Sequence, residues 1–280
     1  MNSKKIWRWL NVLSVVSLAA YAGDEAGRKS TGPDGMALIP AGVYLMGSVR
    51  NASDELPFRR VFISDLLVDR YETTNFEYNE FLKAKYPAEP ENMGPENFPV
   101  MVSWPRANEY CAFRDKRLMT EAEWEKVAKG GVNARYATST GELSNDLARI
   151  GDHYSGPTAV GSFPPNPYGV YDLVGNVSEW TADWYHNRSY TDCFGGTWNS
   201  IEDRKVCMNP AGLTLKDKLM KEWRWPTRVH RGIYWGRAGA GDDATAMVYM
   251  TSYRGNYVPD IADRNPKYNI VGIRCAKLAH

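Results

Sequence analysis

Apolar and polar positions define elements sharply in the first half of the chain and faintly in the second. MALIPAGVYLMGS (36–48) alternates apolar and small residues and ends in Gly-Ser, which predicts a strand running into a turn. RRVFISDLLVDRYETTNFEYNEFLKA (59–84) opens as a strand. It then becomes a helix capped near Thr73 or Thr74, with Phe76, Tyr78 and Phe81 along it. PVMVSWPRANEYCAFRDKR (99–117) predicts a short strand and then a helix, with Ser103 at the N-cap and Pro105 at an early helical position. TEAEWEKVAKGG (120–131) carries the sharpest local signal: Thr120 and Glu123 form a capping box, and Gly130-Gly131 stops the helix. Beyond residue 131 helical periodicity fades, leaving short strand-like pieces such as MVYMTSY (247–253) and VGIRCAK (271–277). Long irregular stretches in one domain need staples, whether disulfides, metal ions or dense aromatic packing. No repeat and no internal linker is visible, so one α+β domain over 36–280 is expected, behind a polar, glycine-containing flexible leader at 23–35.

The residues before that leader change the setting. Lys4, Lys5 and Arg8 precede an apolar run, Leu10 to Ala20, too short to span a bilayer, and Ala20-Tyr21-Ala22 fits a small-x-small cleavage site. Residues 1–22 therefore read as a signal peptide, with the mature chain starting near Gly23. A lipid anchor needs a cysteine at the cleavage point, and none is there; membrane contact is expected only through such an anchor, had that cysteine been replaced. Four cysteines, Cys111, Cys193, Cys207 and Cys275, suggest two disulfides in an exported chain, with three pairings open. No CxxC spacing points to zinc. With 34 basic and 33 acidic residues the net charge is +1, which gives no field for nucleic acid or an anionic membrane, so no nucleic-acid partner is expected. The 10 tryptophans and 17 tyrosines suit either a large core or a binding surface with aromatic anchors.

Several long motifs resemble, in order, those of the formylglycine-generating-enzyme (sulfatase-modifying-factor) family. They are MALIPAGVYLMGS, PVMVSWPRANEYCAFRDKRLMTEAEWEKVAKGG, VGSFPPNPYGVYDLVGNVSEWTADWY (160–185) and the closing RVHRG with VGIRC. Met119 stands where the family has proline and Phe113 where it has a second tryptophan. The resemblance covers essentially all of 36–277 and implies a C-type-lectin-like fold with little regular secondary structure, and a Cys111–Cys275 disulfide. It also implies structural calcium at two places. One is Asp172 and Glu179 with the carbonyls of Gly175 and Val177; the other is Asn145 and Asp152 with the carbonyls of Asp146 and Tyr154. All are hard oxygen donors, as Ca²⁺ prefers. The family's oxidases carry two copper-binding cysteines in the closing segment, but no cysteine lies between Cys207 and Cys275, so no copper is expected. The histidines, His153, His186, His230 and His280, form no HxxxH pair for an iron site, and no GxSxG elbow is present.

The stretch RGIYWGRAGAGDDATAMVYMTSYRG (231–255) looks at first like a phosphate loop, yet Asp242 and Asp243 follow its glycines and no Lys-Ser/Thr does. Its frame residues, Arg228, Val229, Arg231, Gly232, Trp235, Tyr253, Arg254, Pro259, Gly272, Arg274 and Cys275, match the family. The residues between them look unpatterned, and many are reachable from an Asn codon by changes at adenines. That pattern resembles the variable proteins of diversity-generating retroelements, with a variable region at about 230–275. The implied function is an exported, non-enzymatic ligand-binding protein at the cell surface or in the periplasm of a bacterium, with a protein or glycan ligand. The expected contact residues are Ile233, Tyr234, Gly236, Arg237, Ala238, Asp242, Asp243, Asn256, Tyr257 and Asp260. The alternative is an exported oxidase of the same family, of the siderophore-tailoring type, with a non-copper site.

Overall fold

The two capping boxes form as expected. Thr74 Oγ1 accepts from Glu77 N while Glu77 returns the bond to Thr74 N, which starts α1 (Asn75–Lys85). Thr120 and Glu123 do the same for α3 (Glu121–Ala128). Ser103 takes the N-cap position of α2 (Trp104–Phe113), although its side chain makes no capping bond. The computed structural model describes residues 35–49, 51–90, 94–151, 154–201, 204–236, 243–260 and 270–279. The expected signal peptide and all of the leader but Gly35 lie outside these.

Among the described residues the strands are short and fall into three four-stranded sheets. The first joins β1 (Ala37–Ile39), β4 (Leu66–Val68), β12 (Cys275–Leu278) and β5 (Arg117–Leu118) in that order. The second runs β10 (Gly255–Tyr257), β9 (Arg228–Arg231), β6 (Ser178–Trp184), β11 (Val271–Gly272), with β11 parallel to β6. The third runs β2 (Gly42–Met46), β3 (Arg59–Ile63), β8 (Arg204–Met208), β7 (Thr197–Ile201). Two short helices, α4 (Lys218–Lys221) and α5 (Asp243–Val248), complete the set.

The structure amends three sequence expectations. The strand at 36–48 is two strands, broken at Pro40-Ala41, so that β1 joins one sheet and β2 another. VGIRCAK likewise divides into β11 and β12, because the chain changes sheets at Ile273-Arg274. MVYMTSY is not a strand: Met247 and Val248 end α5, and turns follow, closed by Met250 N to Met247 O and Tyr253 N to Met250 O.

Two disulfides staple the irregular half: Cys111–Cys275 joins α2 to β12, and Cys193–Cys207 closes the loop leading into β8. The pairing implied by the family resemblance is the one found. Three apolar clusters make the core. One packs β1 and β4 against Trp124, Val127 and the 136–150 and 170–174 segments. The second gathers Tyr78, Phe81, Tyr110 and Trp180 around the first disulfide, and the third surrounds the second disulfide. No helix among the described residues is long and apolar enough to cross a membrane.

Candidate functional site

α3 is buried on every side, including Glu121, Glu123, Glu125 and Lys126. Such a helix requires paired charges, and the closing segment supplies them. Arg231, at the end of β9, is fully buried; it donates from Nη1 to Glu121 Oε1 at 2.9 Å and from Nη2 to Glu125 Oε2 at 2.7 Å. Arg254 grips both Glu121 oxygens at 2.7 and 2.9 Å, and donates to the Asp54 carbonyl at 2.8 Å. Lys129 completes the network on Glu125 at 2.8 Å. Burial by itself pushes the Glu121 carboxyl up, but Arg254 and Arg231 outweigh it and hold the pKa below the ordinary value. Beside this network Asp183 is buried and forms no ion pair among the described residues; its Oδ2 accepts from Glu121 N at 2.6 Å, and burial, with the Glu121 charge beside it, lifts its pKa to about 8.

Arg274 makes the third anchor. Its Nε and Nη2 reach Glu179 Oε1 at 3.0 and 2.7 Å, and its other bonds go to the Asp69 and Tyr171 carbonyls. Trp124 Nε1 takes Glu179 Oε2 at 2.7 Å. Three buried arginines therefore pin the closing segment to α3 and β6, and the expected contact residues lie between the pins.

Those residues divide. Asn256, mid-strand in β10, is exposed, with Oδ1 accepting from Thr227 Oγ1 at 3.1 Å. Tyr234 is half-buried against the first cluster, and Tyr257 half-buried and stacked on His230 at 5.2 Å. Gly236 and Asp260 sit in half-exposed turns. Ile233 is a correction: it is 4% exposed, inside the first core cluster, so it supports the face from beneath and does not present itself on it. Its φ is 31°, an unfavourable region for a β-branched residue that surrounding packing must enforce. Arg237, Ala238 and Asp242 lie outside the described residues, as do the side chains of residues 243–245, although Asp243 begins α5.

The calcium candidates fit unevenly. Asp172 Oδ2 accepts from Gly161 N at 2.6 Å, while Oδ1 is buried without a partner, a feature that suits a cation. Gly175 (φ 77°) admits no side chain, since a Cβ would strike the Arg149 carbonyl. Val177 N donates to Glu72 Oε1 at 3.2 Å, a buried carboxylate that the motif reading missed because it comes from a distant segment. Glu179, in contrast, has both oxygens engaged by Arg274 and Trp124. At the other place Asn145 and Asp146 are exposed on a turn, the Tyr154 ring lies under Arg149 at 3.7 Å, and Asp152 is outside the described residues. Among the described residues no three His, Cys, Asp or Glu side chains gather closely enough to hold a metal by themselves.

A scaffold of short strands and irregular loops, closed by its own last strand and pinned by buried arginines, defines a C-type-lectin-like fold of the formylglycine-generating type. Residues 22–279 match the sulfatase-modifying factor enzyme 1-like domain, and the chain belongs to that family. It is 31% identical to the formylglycine-generating enzyme of Mus musculus over 269 residues, 69% of this chain and 68% of that one. It is 32% identical to the serine/threonine-protein kinase pkn1 of Chlamydia pneumoniae, but spans only 34% of the kinase's length. In three dimensions it resembles PvdO from Pseudomonas aeruginosa, with a TM-score of 0.63 at 23% identity, covering 87% of this chain and 94% of that one. Treponema denticola variable protein 1 aligns with a TM-score of 0.60 at 20% identity, covering 87% and 95%. These two likenesses are of fold.

Proposed function

We propose that the protein is an exported, non-enzymatic ligand-binding member of this family, whose closing loops form a diversified contact face on a rigid frame. The observation that carries the proposal is the division of labour in the closing segment. The matched frame residues Arg231, Arg254 and Arg274 are buried and ion-paired. Of the expected contact residues between them, Tyr234, Gly236, Asn256, Tyr257 and Asp260 lie at or near the surface, and Ile233 is buried beneath them. Such a face can change composition without unfolding its support. All four cysteines are in disulfides, so no thiolate is offered to a soft metal. Two disulfides suit an extracellular or periplasmic setting. Sequencing the DNA that flanks the gene tests the reading. A near-copy of the segment encoding 230–275, differing at adenines and lying beside a reverse transcriptase frame, is expected; its absence overturns diversification.

The second reading, an oxidase with a non-copper site, is favoured by the 31% identity to an enzyme. It requires turnover that depends on a redox metal, and its test is an oxygen-consumption assay with added iron or copper.

Calcium, in this proposal, is structural. It would take Asp172 with the carbonyls of Gly175 and Val177, Glu179 joining only if Arg274 releases it. A second ion would take Asn145 and Asp152 with the carbonyls of Asp146 and Tyr154. Chelation is then expected to lower the melting temperature, by the linkage that stabilises any state which binds a ligand preferentially. An unchanged melting temperature overturns the calcium part alone.

A further inference from the structure

The two outer strands of the third sheet have the same length, five residues, but different surroundings. β2 is half-buried beside α3: Tyr44 Oη donates to the Ala122 carbonyl at 2.7 Å, and the Gly42 and Leu45 carbonyls accept from Lys126 and Lys129 Nζ. β7 is exposed at every position from Thr197 to Ser200. Side chains alternate along a strand, so four exposed positions in a row put both of its faces in solvent. Its ladder with β8 runs from Thr197 opposite Met208 to Ile201 opposite Arg204 without a bulge. No strand among the described residues pairs with its other edge. The sequence TWNSI holds no charge and no proline, the devices that usually blunt an open edge.

The hairpin is held in place rather than loose. Cys193–Cys207 closes its base, Trp198 Nε1 donates to Asp192 Oδ1 at 2.8 Å, and Lys205 Nζ lies 4.0 Å from the centroid of the Trp198 ring. At its exposed centre Ser200 N donates to Asn199 Oδ1 at 2.8 Å, a bond that a neighbouring strand could replace. An uncharged strand offers no charge by which to select an unrelated peptide, whereas a second copy brings side chains already matched to it. Antiparallel pairing about a two-fold axis at Asn199 sets Thr197 opposite the partner's Ile201 and Trp198 opposite the partner's Ser200. β-branched residues then meet, the large ring faces a small side chain, and no like charges oppose one another. We infer that β7 is a homodimer interface, through which two copies of the chain join their four-stranded third sheets into one continuous sheet. The surface lies outside the closing segment, so the inference stands whether or not that segment binds a ligand.

The test follows the full-length protein by sedimentation velocity from about 1 to 100 µM, a range suited to a reversible dimer. A monomer–dimer equilibrium is expected in the wild type. Asn199→Lys, which sets two like charges opposite each other, is expected to raise the dimer dissociation constant about tenfold or more. Asn199→Cys adds a readout specific to the register: paired Cα atoms about 4.5–5.5 Å apart lie within disulfide reach, so mild oxidation gives a covalent dimer. Asn187→Cys, at an exposed position on another loop, gives none. A wild-type protein that stays monomeric at about 100 µM overturns the inference. So does a dimer that Asn199→Lys leaves unchanged, since it uses another surface, and so does equal cross-linking from Asn199→Cys and Asn187→Cys.

Discussion

The two disulfides close loops of very different length, and their separate removal measures how much the cross-links act through the unfolded chain. Cys111–Cys275 spans a sequence separation of 164, and Cys193–Cys207 one of 14. Loop-closure entropy assigns about 5 kcal/mol to the first and about 3 kcal/mol to the second at 25 °C. All four cysteines are buried, so replacing either pair with alanine adds a comparable packing penalty, and the difference of about 2 kcal/mol isolates the loop term. The assay is urea unfolding followed by tryptophan fluorescence on Cys111→Ala/Cys275→Ala and Cys193→Ala/Cys207→Ala. The long-loop variant is expected to lose more stability and to show the steeper denaturant slope, since freeing the larger loop expands the unfolded ensemble. Loss of any cooperative transition in that variant, with the other still folded, points the same way. Equal losses, or a larger loss in the short-loop variant, refute the entropic reasoning and place the stabilisation in native contacts.

Other expectations follow from the site. Arg231→Met leaves Glu121 and Glu125 short of a buried partner and is expected to destabilise by about 3–5 kcal/mol in urea titrations; a loss under about 1 kcal/mol would show the network to be dispensable. Asp183 has a folded pKa of about 8, above its unfolded value, so its contribution is complete below that unfolded value and is lost as pH rises through about 8. Asp183→Asn should therefore flatten the fall in melting temperature between about pH 4 and pH 8, and an unchanged profile counts against a protonated Asp183. Ile233→Ala is expected to cost about 2–4 kcal/mol as a core truncation, and Asn256→Ala less than about 0.5 kcal/mol. Thermal melts that reversed that order would return Ile233 to the surface.

The capping boxes at Thr74 and Thr120 were legible because a cap is a local pattern of side chain and backbone, complete within four residues. The strand break at Pro40 was also written locally, but the alternation on either side of it conceals the change of sheet. The pairing of Cys111 with Cys275 followed from family likeness, since spacing leaves three options. The ionic anchors were not legible: Arg231 meets Glu121 and Glu125 across 110 and 106 residues, and no periodicity connects such partners. Ile233 was misplaced because composition alone cannot distinguish a changeable contact residue from a small core position. The position of β9 in its sheet and the turn at Gly232 decide that question.

The place of β12 has a consequence for biosynthesis. This strand lies inside the first sheet, between β4 and β5, yet it is encoded at residues 275–278. Until the ribosome has released that stretch, β4 and β5 have no common neighbour and Cys111 no partner thiol. Closure of the first sheet therefore waits on a strand more than 150 residues beyond β5, a long-range pairing of the kind that forms slowly. One consequence is that a chain truncated just before Cys275 would carry helices without their sheet, an unpaired edge on β4 and a Cys111 thiol without its native partner.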